Sequence, residues 1–411
     1  MFATLERPTL PQAGGRRLLE DFGPLYAANG FIGFIFAASG PLAIILSVGT
    51  GGGLSSSQLA SWVFGVFFVN GLLTLALSWL YREPLSFFWT IPGTVLVGPA
   101  LQHLSFPEVV GAFYATAAVV LLVGASGWVK RAMQAVPMPI VMGMVAGVFL
   151  RFGLDLVRAL HGGFAVAGPM VATFVVLSAA PRFSRRMPPL IGALLTGAAA
   201  VVLSGGLAGA APTVLTLAQP VLQQPVWSVP ALVELVVPLA ITVLVVQNGQ
   251  GIAVLHAAGH RPPVNVATMM CGVGSLLAAM VGAVSSCLTG PTTALITHSG
   301  ERRRHYTAAM FTGLLAIAFG LLAPTFTGLM LAMPKAYIMT LGGLAMLRVL
   351  QASFVASFKD RFSLGALVSL LVTVADLPFL NIGAAFWGLI AGIAVSWLLE
   401  RQDFVDRQAS A

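Results

Sequence analysis

Two short clusters of threonine, proline and glycine interrupt an otherwise strongly apolar chain. One is Thr90-Ile91-Pro92-Gly93-Thr94; the other is Thr289-Gly290-Pro291-Thr292-Thr293. Proline lacks an N–H and clashes with the turn before it, yet it suits the first turn of a helix. Each cluster therefore predicts extended backbone, over 85–91 and 284–290, followed by a short helix starting near Pro92 or Pro291. The chemistry offered is anion binding. A helix N-terminus presents free N–H groups and the positive end of a dipole, and Thr94, Thr289, Thr292 and Thr293 add hydroxyl donors. A third polar group lies in Val245–Gly251, where Gln247, Asn248 and Gln250 interrupt an apolar run. Neutral amides cost less to bury than charges but still need partners. These three either contact a bound molecule, brace the half-helices or hydrogen-bond neighbouring helices.

Membrane helices are the elements that must position these groups. The 411 residues are 58% hydrophobic and 8% charged, against about 25% charged in soluble proteins. The apolar runs are long enough to cover a hydrocarbon core of roughly 30 Å, and they lack the short alternating segments of a β-barrel. The fold class is all-α and polytopic. Fourteen segments are expected, at roughly 24–48, 59–80, 86–104, 107–128, 136–158, 164–180, 187–210, 229–257, 263–283, 285–299, 305–324, 327–349, 362–376 and 379–399.

Charge tests that count. With a cytoplasmic N-terminus, all of the 21 basic residues except Arg151, Arg158 and Lys335 fall in inner loops or tails, Arg348 among them, and the outer loops 49–58 and 204–228 carry none. Cytoplasmic loops of membrane proteins collect Lys and Arg, so both termini are expected in the cytoplasm. The same rule accounts for the net charge of +8, and Glu301-Arg302-Arg303-Arg304-His305 reads as a cytoplasmic anchor and not as a nucleic-acid patch. Residues 1–23 hold Arg7, Arg16 and Arg17 without an apolar core, so they read as a tail and not as a cleaved signal. Cys271 and Cys287 are expected as small buried residues.

Pro92 and Pro291, Thr94 and Thr293, and Leu96 and Leu295 are each 199 residues apart. The first member of each pair falls in segment 3 and the second in segment 10. Seven, an odd number, separates them, so the second half enters the membrane upside down. The expected architecture is a 7+7 inverted repeat with broken segments 3 and 10. A tail (1–23) precedes the first repeat (24–210); an outer linker (211–228), the second repeat (229–400) and a tail (401–411) follow. Segment 1 carries Ser39-Gly40-Pro41 at the depth where its mate, segment 8, carries the carboxamides. Broken backbone at membrane depth survives only where protein or a water-filled cavity satisfies it. Two helix N-termini are therefore expected to face each other near the midplane.

Charges inside a membrane are functional hypotheses by default. Arg151, Asp155 and Arg158 share one helix face and read as a structural network near the outer end of segment 5. Glu234, roughly 20 Å before Gln247 along a helix, and Asp376 are expected at the outer interface. Lys335 either attracts an anion or snorkels. His256 lies toward the inner end of segment 8, and His103 and His298 lie near the ends of the half-helices, where histidine is ordinarily solvated or hydrogen-bonded. Asp155, His256 and Lys335 are the candidates for a proton-carrying role. Gly143 with Gly147 and Gly388 with Gly392 are spaced for close helix packing. The sequence has no nucleotide-binding loop, metal-ligand cluster or nucleophile set, so no enzyme activity, cofactor or metal is expected.

Three stretches carry a family resemblance: Arg82–Leu101 (REPLSFFWTIPGTVLVGPAL), Gln134–Leu156 (QAVPMPIVMGMVAGVFLRFGLDL) and Val245–Leu255 (VVQNGQGIAVL). They resemble the benzoate membrane transport (BenE) family, over about residues 24–400. More distantly the layout is similar to uracil permease and the sulfate-type anion exchangers. The resemblance implies a secondary active transporter of the bacterial inner membrane that imports benzoate, or a related aromatic carboxylate, with protons. It implies alternating access between a core domain (segments 1–4 and 8–11) and a gate domain (segments 5–7 and 12–14). Substrate would sit between segments 3, 8 and 10, on Thr90, Ile91, Pro92, Gly93, Thr94, Gln247, Asn248, Gln250, Thr289, Gly290, Pro291 and Thr292. Phe34, Phe36, Phe87, Phe88 and Trp89 could wall an aromatic ring. The partners implied are the aromatic anion, the proton and the lipid bilayer; gate helices of such folds can also pair, giving a homodimer. Uracil permease places acidic residues on segments 8 and 10. Here those positions fall near Gln247 and near Gly290-Pro291, so that route for protons lacks a carboxylate. A nucleobase permease of the same fold and an anion channel or exchanger are the alternatives.

Overall fold

The computed structural model describes residues 5–8, 11, 14–129, 131, 137–180, 187–205, 215–298, 300–377, 379 and 384–409, the last four by backbone only. Lys130, Arg182, Arg185 and Arg186 of the basic loops, residues 206–214 of the outer loop and Pro378 lie outside the described residues.

A short helix α1 (Gly15–Asp21) leads into α2 (Pro24–Ala38) and α3 (Gly40–Gly51), one apolar run broken at Ser39. Helix α4 (Ser56–Tyr81) contains a π-helical stretch at Gly65–Val69. Strand β1 (Phe87–Trp89) and helix α5 (Ile91–Ala100) follow. Then come α6 (Phe106–Ser126), α7 (Met138–Gly162), α8 (Phe164–Ala179) and α9 (Pro189–Leu203). Helix α10 (Val229–Ala257) carries π-helical stretches at Leu232–Val236 and Thr242–Gln247. Beyond it lie α11 (Val264–Met280), strand β2 (Ser286–Leu288) and α12 (Gly290–Ile296). The chain ends with α13 (His305–Leu321), α14 (Ala323–Leu331), α15 (Lys335–Phe358), α16 (Ser363–Ala375), α17 (Ala384–Leu399) and α18 (Arg401–Ala409).

The run α2–α3 and helices α4, α6, α7, α10 and α15 are each long and apolar enough to cross a bilayer; α5, α8, α9, α11, α16 and α17 are shorter apolar helices. One expected boundary is corrected. The long helix after α13 spans 335–358 and not 327–349. Residues 323–331 form the separate helix α14, bent by 71° from its predecessor. Hydropathy runs on through this region, but Pro324 and Pro334 each start a new helix. Arg348, expected in a loop, therefore sits within α15.

Helix α15 packs along α7, α16 packs on α7 and α17, and α8 packs on α9; α6 packs along α11, and α13 along α4 and α2. The glycine pairs do permit close approach. A Cβ on Gly147 would lie 2.8 Å from Cβ of Thr373 on α16, and one on Gly392 would lie 2.6 Å from the Gly365 carbonyl oxygen.

The strands explain how broken backbone is housed. β1 and β2 pair antiparallel, Phe87 opposite Leu288, Phe88 opposite Cys287 and Trp89 opposite Ser286. The ladder is flanked by two equivalent bonds, Thr90 N–H to Ser285 O and Thr289 N–H to Ser86 O, both 3.0 Å. Thr90 and Thr289, like Ser86 and Ser285, are 199 residues apart, so the ribbon is locally two-fold. All six strand residues are buried, and their outer edges need partners. On β1, Thr74 Oγ1 accepts from Phe87 N–H at 2.8 Å and donates to Phe87 O at 3.1 Å. Ser78 does the same for Leu85, at 3.2 and 3.1 Å. On β2, Ser286 N–H donates to Ser275 Oγ at 2.9 Å and Leu288 N–H to Asn248 Oδ1 at 2.8 Å.

Candidate functional site

A cavity with about 280 Å³ of space between atoms lies where α2, α3, β1, α5, α10 and α12 converge. One wall is aromatic: Phe36 from α2 and Phe88 and Trp89 from β1. Ala37, Pro41, Ile91 and Pro291 complete the apolar lining. The polar wall is Gln247 on α10, Thr289 at the cap of α12 and Thr292 in its first turn.

The aromatic wall is buttressed from behind. The π-helical stretch of α4 carries Phe67, whose ring centroid lies 5.0 Å from Trp89 and 6.0 Å from Phe88. Phe319 of α13 backs Phe67 at 4.5 Å, and Phe34 packs on Phe319 at 5.6 Å. Such rings are held in tilted and edge-on contact. Phe34 therefore supports the wall from a second layer, and Phe87 is wholly buried away from the cavity.

The polar groups divide into spent and unspent. Thr90 Oγ1 caps α5, accepting from Gly93 N–H at 3.1 Å and donating to Thr242 Oγ1 at 3.0 Å. Thr94 donates to Thr90 O at 2.9 Å, and Thr293 donates to Thr289 O. Asn248 accepts from Leu288 N–H and extends Nδ2 to Thr268 Oγ1 at 3.4 Å. Gln247, by contrast, is buried and makes no side-chain hydrogen bond among the described residues. Thr289 reaches Ser86 O only at 3.4 Å, a long contact for a hydroxyl donor. The Trp89 indole N–H is buried without a partner among the described residues. Gln247, Thr289 and Thr292 are thus the polar side chains that face the cavity.

Of the expected contacts, Ile91, Gln247, Thr289, Pro291 and Thr292 line the cavity. Thr90, Pro92, Gly93, Thr94 and Asn248 form the frame around it. Gly290 is buried at the start of α12, and Gln250 is exposed beside it. The three expected proton carriers lie apart from the lining. His256 is exposed in the last turn of α10, Lys335 is exposed at the start of α15, and Asp155 is bonded to Arg158 at 2.9 Å. Arg151 faces Asp376 at 3.8 Å and not Asp155. Glu234 is 4% exposed and lies 2.8 Å from His103 Nε2, which makes the part-buried His103 a hydrogen-bonded residue, one of the two states expected of it.

Thr74, Ser78, Thr242 and Ser275 were absent from the sequence expectations. Small hydroxyls scattered on apolar helices carry no signal beyond the four-residue spacing of Thr74 and Ser78 on one helix face.

The chain matches the family "BenE: Benzoate membrane transport protein" over residues 20–398. It is 31% identical over 372 residues to the inner membrane protein YdcO of Escherichia coli (strain K12), covering 88% of this chain and 93% of that one. It is 26% identical over 392 residues to the benzoate membrane transport protein of Acinetobacter baylyi, covering 93% and 97%. Among solved structures, the transmembrane domain of the cyanobacterial bicarbonate transporter BicA superposes with a TM-score of 0.61 at 15% identity, over 93% of this chain and 99% of that one. SLC26A9 superposes with a TM-score of 0.63 at 14% identity, over 92% and 66%. These structural likenesses show the fold, that of helical membrane transporters.

Proposed function

The chain belongs to the benzoate membrane transport (BenE) family, and on that premise we propose a secondary active transporter that imports benzoate, or a related aromatic carboxylate, by proton symport across the bacterial inner membrane. Transport, and not catalysis, follows from the family itself. One observation carries the substrate reading: a small cavity with an aromatic wall on one side and uncommitted amide and hydroxyl groups on the other. A flat ring lies against Phe36, Phe88 and Trp89. Its carboxylate accepts hydrogen bonds from Gln247 Nε2 and from the Thr289 and Thr292 hydroxyls. Hydrogen bonds to an ionised acceptor are about twice as strong as neutral ones.

We read the architecture as 14 segments in a 7+7 inverted repeat, over 24–210 and 229–400, with both termini in the cytoplasm. The two-fold bonds around Thr90 and Thr289 support it. The gate comprises α7–α9 and α15–α17; the rest of the bundle is the core. Packing of α7 on α15 and α16, separate from that of α6 on α11, supports two bodies. Alternating access is motion of one against the other, and the cavity-lining α3 touches the gate where Gly40 abuts Ala345 of α15. Asp155, His256 and Lys335 stand outside the cavity lining, so any part they take in coupling acts at a distance.

Uptake of labelled benzoate into proteoliposomes, with and without an inward proton gradient, tests the reading. Protein-free vesicles must be subtracted, because benzoic acid crosses lipid unaided. Saturable uptake that concentrates benzoate only under the gradient, with counterflow, is the expected result. Flux without saturation or counterflow would make the protein a channel. No flux above the leak, with flux of a nucleobase, would assign a permease of the same fold.

A further inference from the structure

Three titratable groups that play no part in the cavity meet beyond one end of α10. His260 Nδ1 lies 2.5 Å from Glu83 Oε2, and His260 Nε2 lies 3.0 Å from His305 Nδ1. His260 and His305 are 5% and 4% exposed. The Glu83 side chain keeps 21% of its surface open, which makes it the cluster's contact with solvent. Its other oxygen accepts from Arg261 N–H at 3.2 Å.

The hydrogen-bond chain fixes the tautomers. An ionised carboxylate only accepts, so His260 Nδ1 carries a hydrogen. A neutral His260 must then accept at Nε2, from Nδ1–H of His305. The nitrogen left without a hydrogen is Nε2 of His305. One further proton enters at Glu83, the member open to solvent, and the two buried rings share its charge through their hydrogen bonds. Burial disfavours a charged imidazole, whereas an adjacent carboxylate favours it.

The surrounding charges are already engaged. Arg82 pairs with Asp21 at 3.3 Å and lies over the Tyr306 ring at 5.3 Å, and Tyr306 donates to Asp21 at 2.8 Å. Tyr26 stands 6.4 Å from the His305 ring, with Arg304 stacked over it at 4.7 Å. Glu301 pairs with Arg303 and Arg304, and Arg302 donates to Gly259 O at 2.8 Å. Arg261 is exposed. Among the described residues, Glu83 is the carboxylate in direct contact with His260.

The position of the cluster matters as much as its chemistry. Glu83 precedes Phe88 by five residues, about 16 Å of extended chain. His260 follows the helix that carries Gln247. His305 opens the helix after the one that carries Thr292, and Tyr26 lies in the helix that carries Phe36. Segments that wall the cavity are thus joined at one end by hydrogen bonds that a proton would rearrange.

We propose that Glu83, His260 and His305 form a proton-binding site whose occupancy is linked to anion binding in the cavity. This rests on the transport reading for the anion, though not for the proton. Linkage is reciprocal: whatever factor protonation adds to anion affinity, the anion adds to proton affinity.

The full chain, labelled with ¹⁵N in its histidine rings and held in detergent micelles, would be titrated by NMR between about pH 5 and 8.5, the window in which imidazole ordinarily changes charge. His260→Gln, His305→Gln and His256→Gln assign the resonances by difference. Expected are coupled titrations of His260 and His305, whose midpoint rises by about half a unit with saturating benzoate, a roughly threefold change in affinity. Glu83→Gln lowers the midpoint, and His256→Gln leaves it unmoved. Resonances of His260 and His305 that stay flat across the range would overturn the site. A midpoint indifferent to benzoate that is seen to bind elsewhere would overturn the linkage. Absence of benzoate binding at every pH sinks the transport reading and the linkage with it, while the ligand-free titration still decides the proton site. Should His260→Gln fail to fold, the wild-type titration with His305→Gln and Glu83→Gln decides the same question.

Discussion

At the start of α5, the Thr90 hydroxyl is held at both ends, accepting from Gly93 N–H and donating to Thr242. At the start of α12, 199 residues later, Thr289 makes the same backbone bond across the ribbon but has no side-chain cap. Its hydroxyl lies on the cavity instead. The strand edges differ in the same way. Two hydroxyls of α4 close β1 and Leu85 just before it, each donating and accepting, whereas β2 takes one hydroxyl, Ser275 of α11, and borrows Asn248 from α10, the neighbour of Gln247. A two-fold frame thus yields a one-sided cavity: the Thr90 hydroxyl is spent on structure, whereas Gln247, Thr289 and Thr292 of the second half line the polar wall.

That contrast breaks first at the strand edges. Thr74→Val strands the N–H and the carbonyl of Phe87, at about 1–3 kcal/mol for each buried group, and a clear fall in thermal midpoint measures it. Asn248→Leu strands Leu288 N–H and destabilises by about the same amount for one group. A Thr74→Val protein as stable as wild type would show that β1 does not need its hydroxyls.

The next effect is on affinity. Gln247→Leu removes a donor to a charged group, worth about 1.5–3 kcal/mol, so benzoate binding by calorimetry weakens about tenfold or more while the unfolding midpoint holds. The two threonines then sharpen the contrast as a crossed pair. Thr90→Val costs about 1 kcal/mol of stability, as lost caps do, with affinity nearly kept. Thr289→Val leaves stability within about 0.5 kcal/mol and weakens binding severalfold. Equal losses of stability in both would mean that Thr289 is also a frame residue. Smallest is Gly290→Ala: the added carbon meets Gln250 Cγ and, at 2.6 Å, its Cδ, but that side chain is exposed and swings aside from its Cβ outward, so stability again changes by less than about 0.5 kcal/mol.

The breaks at Pro92 and Pro291 were legible because proline acts on its own backbone, and the helices begin within a residue or two of them. The carboxamides pointed to the right helix but not to their separate duties. Gln247 and Asn248 are adjacent, so a turn of about 100° sends one into the cavity and the other to β2. Which goes where depends on the course of β2, settled by residues some 40 positions on. His103 and Glu234 are 131 residues apart, and nothing local marks them as partners. The bend at α14 was hidden because hydropathy measures solvent preference and not direction.

The ribbon also sets an order of events. Strand β1 must pair with residues 197 to 201 positions further along the chain, and long-range pairing is the slow part of folding. During synthesis β1 can find Thr74 and Ser78 at once, but its other edge has to wait for residues 286–288. Unpaired backbone costs several kcal/mol per group in hydrocarbon, so the first half made alone is an unfinished object. The cavity closes only when the second half brings Gln247, Thr289, Pro291 and Thr292 to its wall.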